Sequence, residues 1–144
     1  MKLKLSHLSL FFSFALVVSA SYAEGYKVVV HKSVALNEIS KKTLNSIYLG
    51  DTTYWKNSDK IVPASLNDKN SVMKTFVNDV LGKSISDYTT HWRRKLFSGR
   101  GIPPRRFTND QELLSFISST ENSIGVINEV IPLDGKVKII EVTD

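Results

Sequence analysis

The stretch KIVPASLNDKNSVMKTFVNDVLG, residues 60–82, changes its period midway. Ile61 and Val62 open a short β-branched run, and Pro63, which lacks an N–H, restricts that run to a strand end or a sheet edge. After the polar NDKN, the apolar residues Val72, Phe76, Val77, Val80 and Leu81 recur at the spacing of one helix face, with Asp68 or Asn70 as N-cap and Gly82 as the stop. A strand that passes through a polar turn into a helix is a unit of an α/β fold. It also brings a helix N-terminus, with its unpaired N–H groups, to the end of a strand, where an anion can be held. Asn70 and Ser71 stand at that end, and ordinary capping by Asp68, Asn70 or Ser71 accounts for the same residues.

Upstream, Val28, Val29 and Val30 in YKVVVHKSV are apolar on both faces, as in a strand buried at the centre of a sheet. After a polar connection, Ser40 caps a helix that carries Leu44, Ile47 and Tyr48 on one side, and Gly50 supplies its left-handed end. Downstream, Ser84 or Ser86 starts a helix with Ile85, Tyr88, Trp92 and Leu96 on one face and Arg93, Arg94 and Lys95 in its last turn, where cations suit the dipole. Residues 96–107, LFSGRGIPPRRF, read as a loop. Thr108 with Gln111, or Asn109 with Glu112, gives a capping box for a helix through Leu113, Leu114 and Ile117. SIGVI and KVKIIEV read as strands separated by a turn at Asp134 and Gly135. The expected fold is a single α/β domain with a mixed, mostly parallel sheet flanked by helices.

Residues 1–23 stand apart from that domain. Lys2 and Lys4 precede the apolar run LSLFFSFALVV, and Ser21 and Ala23 fit the small-x-small cleavage rule, so the segment reads as a cleaved secretory signal peptide. Residues 24–144 then form the domain, without an integral membrane span, and the absence of cysteine in an exported chain suits the bacterial periplasm. The mature portion holds 17 Lys and Arg against 14 Asp and Glu, +3, which calls for no nucleic-acid partner.

Metal and catalytic patterns fail. His31 and His91, the histidines of residues 24–144, have no ligating group at helical spacing; His31 ends a strand and His91 reads as solvent-facing. Gly82, Lys83 and Ser84 resemble the end of a P-loop, but Val77 occupies the place of its first glycine; Gly99 and Gly101 start a dinucleotide fingerprint that meets Pro104. No enzyme activity and no cofactor are expected. What remains is charge: between Tyr88 and Asn109 lie Arg93, Arg94, Lys95, Arg100, Arg105 and Arg106 and no acid. Such a run is ordinarily a solvated surface, and arginine forks also hold carboxylate, phosphate or an acidic partner.

The order of VVVHKSV, LNSIYLGDTTYW, KIVPASLNDKNSVMKTFVNDVLG, HW, FSGRGIPP and ENSIGVI resembles the phosphate-binding proteins of bacterial ABC importers. The family's I-F-x-G segment and following tryptophan correspond to Ile47, Tyr48, Leu49, Gly50 and Trp55, and its helical phenylalanine to Phe76. Its later pattern is met by Trp92, Phe97, Gly99, Pro103, Pro104 and Gly125. The match covers roughly residues 26–128 and implies one lobe of a two-lobed type II periplasmic binding protein. Where the family has a phosphate-gripping Ser-Gly-Thr turn with an arginine upstream, this chain has Asn70, Ser71 and Val72, preceded by Leu66 and Asn67, with Lys69 nearby.

The resemblance implies non-covalent binding of phosphate or a related small anion at Lys69, Asn70, Ser71 and Val72. The alternative is a ligand-free interaction or sensory module of the same fold, docking a periplasmic or inner-membrane protein partner through Arg93, Arg94, Arg100, Arg105 and Arg106.

Overall fold

A computed structural model describes residues 25–144; the signal peptide expected over residues 1–23 lies outside them. Six strands form one sheet: β1 (Tyr26–His31), β2 (Glu38–Ser40), β3 (Val62–Leu66), β4 (Arg105–Phe107), β5 (Ser123–Asn128) and β6 (Val137–Thr143). The helices are α1 (Lys41–Tyr48), α2 (Ser71–Leu81), α3 (Ile85–Phe97) and α4 (Asp110–Ser119). The strand order is β2-β6-β1-β5-β3-β4. β1 runs antiparallel to both neighbours, pairing Val28 with Val126 and Ile140, while β2–β6, β3–β5 and β3–β4 are parallel.

The Val28–Val30 run occupies the centre as its two apolar faces require, and all three valines are buried. Pro63 sits at the second position of β3, before pairing with β4 begins at Ala64, so its missing N–H removes no bond on that side. Gly125 faces α4: a Cβ there would lie 2.7 Å from Leu113 Cδ2, so the helix approaches the sheet through the gap glycine leaves. Tyr26, on the opposite face, meets Phe76 of α2 edge-to-face, and Phe76 meets Tyr48 of α1 likewise. Helices therefore cover both faces.

The caps follow the sequence closely. Ser40 accepts from Thr43 N, and Gly50 adopts φ +77° beyond α1. Asn70, rather than Asp68, caps α2, and Gly82 ends it at φ +60°. Ser84 caps α3 and Asn109 caps α4, with Glu112 returning a bond to Thr108 N.

Four expectations need correction. Residues 105–107 are not loop but the edge strand β4, laid beside Ala64–Leu66. Glu38–Ser40 is a short strand rather than a polar connection. Leu96 does not join the buried face of α3, because the helix ends one residue later and leaves it half exposed. His91 is half-buried rather than free in solvent: its Nε2 lies 2.9 Å from the Leu49 carbonyl at the end of α1.

Candidate functional site

The parallel strands β3 and β4 end together, since Asn67 N donates to the Phe107 carbonyl at 3.0 Å. Beyond their carboxyl ends the chain turns into α2 and α4, so two helix N-termini meet this edge, the position at which open α/β sheets hold ligands. The two ends differ electrostatically. The first turn of α4 carries Asp110, which accepts from Asn128 N at 2.8 Å, and Glu112; the first turn of α2 carries no acid.

The turn into α2 is built by asparagines. Asn67 accepts from Lys69 N through its side chain and from Asn70 N through its carbonyl. Asn70 Oδ1 then accepts from Val72 N at 2.9 Å and from Met73 N at 3.4 Å. Of the sequence-predicted ligand residues, Lys69 and Ser71 are exposed at the rim, Asn70 is half-buried and Val72 is buried. To sit on these first-turn amides an anion would have to displace the Asn70 side-chain oxygen as their acceptor.

A supporting set lies beneath. Asp68 Oδ2 accepts from Thr89 Oγ1 at 3.1 Å and pairs with Arg106 Nη1 at 3.2 Å, so its charge is compensated next to the helix end. Between this pair and the core lies the Tyr88 hydroxyl, buried and without a hydrogen-bond partner among the described residues. The Trp92 N–H that neighbours it is already donated to the Tyr48 carbonyl. Desolvation pushes the Tyr88 pKa up; Trp92 and then Arg106 oppose that rise, and Asp68 adds to it. None of this was legible in the sequence, where Asp68, Tyr88 and Arg106 are separated by long intervals and carry no motif.

The expected docking arginines divide into groups. Arg106 belongs to the Asp68 pair, and Arg105 lies over the Phe107 and Phe116 rings on the edge strand. Charged side chains on an edge discourage further strand pairing, which gives these two arginines a structural role. Lys95 also has structural work: Nζ donates to the Leu49 carbonyl at 2.7 Å and pairs with Asp51 at 2.9 Å, tying α3 to the C-terminus of α1. Arg94 and Arg100 line an open groove of about 840 Å³ with Lys83 and His91, and Arg93 is exposed beside it on α3. Among the described residues Arg93, Arg94 and Arg100 form no ion pair. The described residues also contain no group of side chains able to hold a metal ion, and no helix long and apolar enough to cross a membrane.

No protein-family model and no curated protein matches the sequence. Solved structures do. A Clostridium perfringens protein assigned to the phosphate ABC transporter substrate-binding proteins, solved with bound phosphate, matches with a TM-score of 0.66 at 21% identity, over 83% of this chain and 45% of that one. An ABC-type phosphate transport receptor from Vibrio cholerae matches with a TM-score of 0.63 at 17% identity, over 84% and 48%. PstS from Borrelia burgdorferi matches with a TM-score of 0.60 at 15% identity, again over 84% and 48%. The likeness shows the fold, a mixed α/β sheet of the periplasmic-binding-protein type, and the chain spans about half the length of the structures it matches.

Proposed function

We propose that residues 24–144 form an exported, periplasmic solute-binding lobe that holds phosphate or a related oxyanion, without covalent chemistry, at Lys69, Asn70, Ser71 and Val72. The observation that carries this reading is the acid-free N-terminus of α2, placed at the carboxyl edge of β3 in a fold of which one solved example contains phosphate. Lys69 adds a cation at the rim, and the Arg106–Asp68 pair keeps the neighbouring carboxylate from opposing an anion.

A ligand held by this lobe alone stays partly hydrated, so the affinity expected of residues 24–144 by themselves is weak unless a second surface covers the site. Titration calorimetry with phosphate, sulfate and small organic phosphates tests the reading. The absence of both heat and a thermal shift at millimolar anion rejects it.

A second reading keeps the fold and drops the ligand. It is favoured by the Asn70 side chain, which already satisfies Val72 N and Met73 N, and makes the protein an interaction module that docks an envelope protein through its arginines. Crosslinking in envelope extracts, compared with charge reversal of Arg100, Arg105 and Arg106, tests it; recovery of the same partner by the reversed variant counts against it.

A further inference from the structure

We propose that the end of α3 and the loop after it form a docking surface for an anionic lipid bilayer, separate from the oxyanion site. Six large apolar side chains are exposed among the described residues, and three of them lie within 96–102: Leu96 at 51%, Phe97 at 85% and Ile102 at 83%. A fourth, Tyr54, lines the same groove as Ile102. Trp92, one turn before Leu96 on the same helix, is buried, so the exposure begins where α3 runs past the core. An apolar cluster left in water at one end of a domain marks a surface that meets something less polar.

The protruding segment is held in shape. Ser98 N, Gly99 N and Arg100 N donate to the Arg94, Leu96 and Lys95 carbonyls, and Gly99 turns the chain at φ +70°. Gly101 then packs beside the Trp92 ring, with space for a Cβ 3.5 Å from it. Phe97 and Ile102 are therefore presented on a folded turn, and little order remains to be imposed when they leave water.

The charges complete the description. Among the described residues Arg93, Arg94 and Arg100 are exposed without ion-pair partners, whereas nearby Lys95 is engaged by Asp51. Arg93 lies one helical turn before Phe97 on the same face, and Arg94 and Arg100 border the adjoining groove with Lys83. Asp87, in the first turn of α3, is the remaining carboxylate at that groove. Aromatic and aliphatic tips set among arginines suit the interface of a bilayer: the tips enter the acyl boundary while guanidiniums stay with phosphate headgroups. A short apolar segment bordered by unpaired guanidiniums suits lipid, which closes around it, better than a folded partner that needs a larger complementary face.

Flotation of the exported protein with vesicles tests this. With phosphatidylcholine containing about 30% phosphatidylglycerol, the protein is expected to float at low salt; with pure phosphatidylcholine, or in 0.5 M salt, it is expected to remain in the dense fraction. Phe97→Ser combined with Ile102→Ser should weaken partition by at least about tenfold. Removing Arg93, Arg94 and Arg100 as alanines should weaken it about fivefold per guanidinium. These side chains are exposed, and circular dichroism checks that the variants stay folded. Absence of flotation at 30% phosphatidylglycerol, or undiminished flotation of either variant, overturns the proposal, as does recovery of an acidic protein partner by a chain that ignores vesicles. Calorimetry with phosphate reads the other site independently, so failure of one leaves the other standing.

Discussion

Asn70 provides a sharp test of the anion site, because one side-chain oxygen both caps α2 and occupies the donors an anion needs. Asn70→Ala removes acceptance from Val72 N and Met73 N and leaves the backbone bonds of Asn70 intact. Loss of an N-cap of this kind costs about 1 kcal/mol. For a domain of this size that lowers the unfolding midpoint by roughly 4 °C. The same change exposes two amides to solvent anions. If the capped state must be broken to bind phosphate, the variant binds about fivefold tighter than the natural chain, the factor that corresponds to about 1 kcal/mol. At 10 mM phosphate, with dissociation constants on the order of 1 mM for the variant and 5 mM for the natural chain, binding stabilises them by about 1.4 and about 0.6 kcal/mol, a difference of about 0.8 kcal/mol in favour of the variant. Thermal unfolding is to be recorded for both proteins in chloride, sulfate and phosphate at equal ionic strength. The expected result is a deficit near 4 °C in chloride that narrows to about 1 °C in phosphate. A deficit equal in all three salts refutes the assignment of these amides to an anion.

Three other expectations concern stability. Tyr88→Phe removes a buried hydroxyl without a partner, so denaturant unfolding should show no loss, and a gain of up to about 1 kcal/mol; a loss beyond about 1 kcal/mol means the hydroxyl is bonded. Gly125→Ala brings a methyl to 2.7 Å from Leu113 Cδ2 and 3.2 Å from Ile117 Cδ1, and should cost about 1–3 kcal/mol by urea midpoint; Leu113→Ala in the same chain should recover part of the strain. Burial raises the pKa of both Tyr48 and Tyr88, so the folded state keeps protons that the unfolded chain releases above pH about 10. Stability is then level below that pH and falls above it by about 1.4 kcal/mol per pH unit for each tyrosine; a urea midpoint unchanged between pH 9 and 11.5 contradicts it.

Much of the architecture was legible because local chemistry and long-range packing agree. Ser40, Ser84 and Gly82 mark helix ends by their own side chains or by the lack of one, and Val28–Val30 needs burial on both faces wherever it sits. Arg105–Phe107 gave no strand signal: three residues, two of them charged, extend only because β3 offers a free edge. Nor could His91 or Lys95 be assigned, since the Leu49 carbonyl that engages both lies far away in the sequence. The site was half legible. Its position at the start of α2 follows from the strand-turn-helix pattern, but the choice of Asn70 over Asp68 as cap depends on Thr89 and Arg106, which draw the Asp68 carboxylate aside. The same distant acids reduce an apparent run of six free cations to a smaller unpaired set.

The central position of β1 bears on when the fold can form. Val28 belongs to the first strand of the described residues, yet its partners Val126 and Ile140 lie roughly a hundred residues later, in the last two. The middle of the sheet, like the β2–β6 pairing beside it, therefore has a high contact order, and its closure waits for nearly the whole described sequence. Under the proposed export across a membrane before folding, this delay has a use. The early segment has no partner with which to complete the sheet's centre while the rest is still being threaded, so the native sheet assembles only after β5 and β6 have arrived. A circular permutant that joins β6 to β1 and opens the chain in the loop at Asn57–Asp59 should fold faster, at the expense of that delay.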